Sequence, residues 1–153
     1  MQFFYTGTDS TLDQAEVDSL AGKYSIPGQY MCRETMNNEA SCTYSLNGIF
    51  VYQEMLVSGF CLPLLDEILH IMKYYQIALG QLQPNSWCRL IAFIVFFTLL
   101  NHVPSVDLFR RIFSLNVEKE TNEETNVKIP TGWYHLNSRK NAPKILGSQR
   151  PSL

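Results

Sequence analysis

The residues of this chain best suited to chemistry are its cysteines and histidines, because a thiolate activated by an imidazole is a competent nucleophile. The cysteines stand at positions 32, 42, 61 and 88, and the histidines at positions 70, 102 and 135. The pairing that such a scheme would use is Cys88 with His70 or His102. Nothing in the sequence activates this thiol, so we interpret the histidines as ordinary helix-surface, helix-end and strand residues. No catalytic residue is predicted.

Metal and cofactor sites are not predicted either. No two cysteines have the two-residue spacing of zinc fingers or redox motifs. The sequence has no glycine-rich loop that could cradle a phosphate and no adjacent aspartates for a pair of metal ions. We therefore expect a protein that is not an enzyme and that has no cofactor, no metal and no evident small-molecule ligand.

The composition indicates one folded domain with tails. Of 153 residues, 46% are hydrophobic and 17% are charged, and the net charge is −2. Residues 1–40 contain six acids and two bases, whereas residues 139–153 contain four bases and no acid. Bulk charge therefore excludes binding of a polyanion by the whole surface, but it leaves a basic C-terminal tail.

No secretion signal is evident, since the first residues contain no base and no long apolar run. The apolar run from Leu90 to Leu100 is too short for a membrane span, which needs about 20 residues. We expect reduced thiols, a location in the nucleus or the cytoplasm, and no association with a membrane.

A mainly α fold is predicted, a compact bundle of four to five helices with a small two-stranded hairpin near the C-terminus. Capping and periodicity place helices at 11–22, 49–58, 63–77, 84–101 and 105–113. Thr11 and Gln14 match a capping box, and Ser105 suits an N-cap. Pro63 and Pro84 suit first helical turns, because a proline lacks the N–H that would be unpaired there.

The apolar faces predict how these helices pack. In helix 63–77 we expect a buried stripe, formed by Leu65, Ile68, Leu69 and Met72. Helix 84–101 is apolar all round, so it should be covered on every side. Four of its side chains are predicted to be largely buried: Trp87, Phe93, Phe96 and Leu100.

An uncovered strip remains an alternative for helix 84–101, because the neighbouring helices are short. It would contain some of Ile91, Val95 and Phe97, and such a strip usually marks an interface. A second copy of the chain or further C-terminal sequence could cover it, or residues 23–58 could fold back over it.

The C-terminal third changes character. Residues 118–126 are polar and charged, which predicts a mobile insert at 116–130. Residues 113–115 and 133–136 could pair as short strands across it. We divide the chain into an N-terminal helix and irregular segment at 1–47, a helical domain at 48–138 and a disordered basic tail at 139–153.

Any contact with nucleic acid is expected to be weak and electrostatic. The candidate cations are Arg110, Arg111, Arg139, Lys140 and Lys144. Trp133 and Tyr134 could stack on bases, although a tryptophan beside a hairpin usually packs on the core. Helices 63–77 and 84–101 do not predict a helix-turn-helix reader, because the second exposes few polar residues beyond Asn85, Ser86 and Arg89.

Five short blocks carry a family resemblance. They are Gly59-Phe60-Cys61-Leu62-Pro63-Leu64, Tyr74-Tyr75-Gln76-Ile77-Ala78, Gln81-Leu82-Gln83-Pro84-Asn85-Ser86-Trp87, Pro104-Ser105-Val106-Asp107-Leu108-Phe109-Arg110 and Gly132-Trp133-Tyr134. Their order and spacing over residues 48–140 resemble the plant gypsy-type transposon domain family, which is associated with LTR retrotransposons. The motif and core residues are Pro63, Pro84, Asn85, Trp87, Phe93, Phe109 and Trp133.

The resemblance implies a retrotransposon-derived domain without an established biochemical role. The enzymes of a complete element leave visible motifs, and this chain lacks them. Asp9-Ser10-Thr11 and Asp18-Ser19-Leu20 lack the glycine of an aspartic protease turn, and no zinc knuckle is present. The insert at 118–126 and the end at Leu153 depart from the family pattern, which implies a fragment of a longer element protein. We expect a domain for protein interaction or self-association.

Overall fold

The computed structural model describes residues 12–34, 48–123 and 125–140. Within them the chain forms five α-helices and an antiparallel hairpin, which confirms the predicted mainly α fold. The elements in chain order are α1 (Gln14–Lys23), α2 (Gln53–Val57), α3 (Asp66–Tyr75), α4 (Pro84–Leu99), α5 (Val106–Ile112), β1 (Phe113–Thr121) and β2 (Lys128–Ser138).

α1 begins later than predicted. Its N-cap is Asp13, whose carboxylate accepts from the Glu16 N–H, while the Glu16 side chain accepts from the Asp13 N–H. This capping box satisfies two N–H groups that the helix leaves unpaired, and it replaces the predicted box from Thr11, which lies outside the described residues. No residue of α1 is fully buried. After α1, Tyr24 and Ile26 pack against the core.

α2 is shorter than the predicted helix at 49–58. Tyr52 is its N-cap in an extended conformation, so residues 49–51 are not helical. The helix buries Met55 and Leu56. Ile49 and Val51, which precede the helix, are both exposed.

α3 also begins later than expected, so the placement of Pro63 in its first turn was wrong. Pro63 lies in the preceding connection, after a cis peptide bond with Leu62. Leu65 is the extended N-cap, and Asp66 and Glu67 occupy the first turn, where acidic side chains favour the helix dipole.

The buried face of α3 also differs from the prediction. Ile68, Ile71 and Met72 are buried, whereas Leu65 and Leu69 are exposed. The helix is therefore rotated so that Ile71, rather than Leu69, faces the core. Sequence periodicity could not fix this rotation, because apolar residues occur on both flanks of the stripe.

α4 is the central helix, and Pro84 is in its first turn as predicted. Its fully buried apolar residues are Trp87, Leu90, Phe93, Ile94 and Phe97. The helix is not covered on every side, so that prediction was wrong. Phe96 is half-buried and Leu100, expected in the core, is exposed.

α5 and the aromatic core complete the helical part. The Ser105 hydroxyl accepts from the Leu108 N–H, which confirms the predicted cap. Phe93 of α4 packs against Phe109 of α5 and Phe113 of β1, with ring centroids 5.2 and 6.2 Å apart. Phe97 lies 5.0 Å from the Phe93 ring, so one aromatic cluster joins three elements.

The hairpin is longer than predicted, and most of residues 116–130, predicted as a mobile insert, lie in its two strands. β1 and β2 pair from Phe113 with Ser138 out to Thr121 with Lys128, with one irregularity between Val117 and Lys119. Polar residues form this distal ladder because backbone hydrogen bonds pair strands without any need for burial. The connection is confined to residues 122–127, closed by a hydrogen bond from the Asn122 N–H to the Val127 carbonyl.

Candidate functional site

The outer edge of β2 is held by the first turns of α4. The Ser86 hydroxyl accepts from the Leu136 N–H at 2.9 Å, and the Arg89 guanidinium donates to the Leu136 carbonyl. The Gln83 N–H donates to the Tyr134 carbonyl at 2.9 Å. These three contacts satisfy backbone N–H and carbonyl groups at the edge of β2, with which a strand of another molecule could otherwise pair.

The contacts between α4 and β2 also occupy polar residues that a DNA-reading helix would need to expose. Ser86 is buried and Arg89 is bonded to the hairpin, so of the polar residues expected at the start of α4 only Asn85 is exposed and outside these contacts. A recognition helix presents several polar side chains to base edges. The structure therefore agrees with the expectation that α3 and α4 are not a helix-turn-helix reader.

The thiol–imidazole pairs considered from the sequence do not form. The Cys88 thiol is exposed and lies 3.2 Å from the Ser58 hydroxyl. His102 follows the far end of α4, about 20 Å along the helix axis from Cys88 at 1.5 Å per residue. His70 lies on the exposed side of α3. Among the described residues the hydrogen-bond partner of Cys88 is therefore Ser58 and neither of these histidines.

Within the part of the chain that the structure describes, no group of three or more His, Cys, Asp or Glu side chains could hold a metal ion. An apolar cavity of about 10 Å³ lies among core residues that include Met72, Leu90 and Phe109. A water molecule needs roughly 10–15 Å³, so this cavity is too small for any larger ligand.

One side of α4 is an exposed apolar surface, which we call the α4 row. Its members recur at helical spacing from Ala92 through Val95 and Leu99 and continue to Val103 beyond the helix. Val95 is 50%, Leu99 77% and Val103 79% exposed. From Leu90 to Ser105 the chain has no charged residue, so nothing in this segment opposes contact with another apolar surface.

The α4 row corrects the predicted strip in two of three positions. Val95 is exposed as expected, but Phe97 is buried and Ile91 is half-buried. Ile91 turns towards α2, where its Cγ2 atom lies 3.2 Å from the position that a side chain on Gly59 would occupy. The exposed apolar side of α4 therefore does not include Ile91 or Phe97. It runs from Val95 to Leu99 and Val103.

A second surface combines cations with tyrosines, and we call it the Arg110 cluster. The Arg110 guanidinium lies over the Tyr74 ring, 5.0 Å from its centroid, and Tyr75 meets Tyr74 edge-to-face at 5.1 Å. Arg139 Nε donates to the carbonyls of Arg110 and Phe113 at 2.6 and 3.1 Å. Helix α3, helix α5 and the end of β2 thus meet at one point.

The Tyr75 phenol lies near both arginines. Desolvation by burial raises the pKa of the Tyr75 phenol above its ordinary value of 10.0, while Arg110 and Arg139 act in the opposite direction. Both guanidinium groups therefore act on the same phenol, although they are 29 residues apart in sequence.

The structure places only some of the residues that the sequence suggested for nucleic-acid contact close together. Arg110 and Arg139 come together, and Arg111 and Lys140 are exposed beside them in the chain. Lys144 lies outside the described residues. Tyr74 was not among the candidates, and its only signal in the sequence was a place on the polar side of α3 next to Lys73.

Trp133 and Tyr134 do not form one stacking platform. Successive strand residues point to opposite faces. Tyr134 packs against the core, while the Trp133 ring meets Tyr52 at 5.8 Å, edge-to-face. Both rings contact the body of the protein, Tyr134 at the core and Trp133 at Tyr52.

The fold defines a small, mainly helical domain whose central helix is docked onto a C-terminal hairpin. Residues 49–117 match the family described as "Putative gypsy type transposon". This match supports a transposon-derived domain and covers the first four of the five sequence blocks, whereas the block at Gly132-Trp133-Tyr134 lies outside it. Comparison with curated proteins and with solved structures gives no match.

The matched segment is smaller than the folded unit. It begins just before α2 and ends inside β1, so β2 lies outside it. Yet β2 contributes Leu136 to the core and is bonded to α4 through Ser86. The structural domain therefore continues at least to Arg139. None of the described helices combines the length and the apolar composition that a membrane crossing requires.

Proposed function

We propose that this chain is a non-enzymatic, retrotransposon-derived domain that associates with a second copy of itself through the α4 row. The observation that carries the proposal is the exposure of Val95, Leu99 and Val103 along one side of a helix. Exposed apolar residues that are contiguous in this way are typical of interaction sites.

Charge favours a second copy as the partner. A symmetric dimer places the same surface against itself, so any charge at its centre would face its own copy. The segment from Leu90 to Ser105 has no charge to create such repulsion. Polar residues at its end, Asn101 and His102, are exposed and would lie at the rim, where interfaces are usually polar.

The size of the surface predicts weak association. A stable interface involves about 20–30 residues from each partner, whereas the α4 row has only a few large apolar side chains. We therefore expect dissociation constants of about micromolar or weaker.

Sedimentation velocity of the full chain over a wide concentration range tests the proposal. Val95→Asp would place a charge in the middle of the row, and it should keep the protein monomeric at concentrations where the original chain associates. Val127→Asp is the matched control, because Val127 is 56% exposed at the hairpin turn and the change in charge is the same. A chain that stays monomeric at every concentration, or a control that dissociates equally, would refute the α4 row as an interface.

A further inference from the structure

The Arg110 cluster concentrates positive charge on a protein whose net charge is negative. Its contacting residues are extended by exposed cations next to them in the chain: Lys73, Arg111 and Lys140. The acid that faces Arg110 is Asp107, with an N–O distance of 3.9 Å and both side chains largely in solvent. Such an exposed pair is weak, so the cations of the cluster are only slightly neutralised.

The geometry of Arg110 and Arg139 fixes these charges in place. The Tyr74 ring supports the plane of the Arg110 guanidinium, and an arginine on an aromatic ring keeps its outer N–H groups available. Arg139 uses Nε for the two carbonyls at the end of α5. Its terminal nitrogens carry four further N–H groups, which these two bonds do not use.

A phosphate backbone fits this arrangement, because arginine forks match phosphate oxygens and the two arginines lie close together. The tyrosine beside Arg110 adds a preference for single strands over duplexes. An unpaired base can stack on a tyrosine or on the plane of an arginine, whereas a base inside a duplex exposes no face. Half of the Tyr74 side chain is exposed for such a contact.

From these observations we infer that the Arg110 cluster is a binding site for single-stranded nucleic acid. The phosphates contact Arg110, Arg139 and Lys140, and an unpaired base packs against the Tyr74–Arg110 pair. This inference is independent of the proposed self-association, because the α4 row contributes no residue to it.

The number of cations sets the expected salt dependence. Three or four phosphate contacts on a single strand give a slope of about −2 to −3 for the logarithm of affinity against the logarithm of salt concentration. Binding should not depend on base sequence, because a stacking contact accepts every base.

Fluorescence anisotropy of the full chain with a labelled oligothymidylate tests the site. The double variant Arg110→Glu with Lys140→Glu should weaken binding by about tenfold or more, since two phosphate contacts become repulsive. The matched control is Lys119→Glu with Lys128→Glu, which makes the same change in net charge on the exposed distal hairpin. This control should retain nearly all of the affinity.

Further measurements test the charge contacts, the base contact and the preference for single strands separately. Arg111→Glu with Lys140→Glu leaves the Arg110–Tyr74 contact intact and should also weaken binding, so a folding defect in the first variant does not decide the result. An abasic oligonucleotide of the same length should bind more weakly than oligothymidylate. A duplex with the same number of phosphates should bind no better than the single strand.

Four results would overturn the inference. They are an original chain that does not bind at low salt, a control that loses as much affinity as the cluster variants, an abasic strand that binds equally well, and a duplex that binds more tightly.

Discussion

The Leu136 N–H donates a hydrogen bond to the Ser86 hydroxyl at 2.9 Å, and both residues are buried. This single bond joins the central helix to the edge of the hairpin, 50 residues away in sequence. It explains why a serine occupies a buried position in a helix that is otherwise apolar on its inner side. The family match covers Ser86 but not Leu136, so the bond also crosses the end of the matched segment.

Ser86→Ala should destabilise the fold, because the Leu136 N–H would remain buried without an acceptor. The expected loss in the free energy of unfolding is about 1–3 kcal/mol. Urea denaturation measures it. Thr98→Ala, an exposed change on the same helix, should alter stability by less than about 0.5 kcal/mol. Equal stability of the serine variant and the original chain would show that this bond is not formed.

Phe93→Ala should be among the most damaging single substitutions. Phe93 is fully buried and its ring meets the rings of Phe97, Phe109 and Phe113. Removing such a side chain costs about 3–5 kcal/mol, a large part of the stability of a small domain. Phe96→Ala is the natural comparison, since Phe96 is only half-buried, and it should cost clearly less. A thermal melt that ranked the two variants in the opposite order would contradict the placement of α4.

Gly59→Ala should destabilise the connection after α2. Gly59 has φ of +95°, and an added Cβ would lie 3.2 Å from the Ile91 Cγ2 atom. A side chain at this φ is strained, so the expected cost is more than about 1 kcal/mol. Gly28→Ala is the control, because no atom lies within 4 Å of its added Cβ. Differential scanning fluorimetry should show a lower melting temperature for the first variant only.

Arg139→Ala should loosen the junction between α5 and the hairpin. The Arg139 side chain satisfies the carbonyls of Arg110 and Phe113, which the end of a short helix leaves without helical partners. Hydrogen bonds from charged groups contribute about 1.5–3 kcal/mol, and exposure places this one at the lower end. Lys140→Ala should be neutral for stability. Chemical denaturation of both variants would reveal the difference, and equal stabilities would argue against the capping role.

The Arg139 contacts determine where the C-terminal tail can be cut without affecting stability. Deleting residues 139–153 would remove the basic segment, but it would also remove a helix cap. Ending the chain after Lys140 keeps the Arg110 cluster intact. We expect this shorter deletion to preserve the melting temperature, whereas removal from Arg139 onward should lower it.

The sequence by itself determined the helical class, the central helix with Pro84 in its first turn, and the N-cap at Ser105. These are local matters, because capping residues and apolar content act within a few positions along the chain. The sequence also placed two strands around Phe113 and Leu136, since apolar residues there flank a polar segment. It could not show how far the ladder extends, because strand pairing depends on a partner rather than on local composition.

Tertiary structure alone decided which side of each helix is buried and which distant residues meet. Leu69 and Leu100 had the chemistry of core residues but are exposed, because a helix with apolar residues on several sides can be rotated into different packings. Arg110 and Arg139 were both candidates from charge, yet only the hairpin's return to the end of α5 brings them together. Tyr74 became part of that cluster because α3 and α5 pack side by side, a relationship that no spacing within either helix encodes.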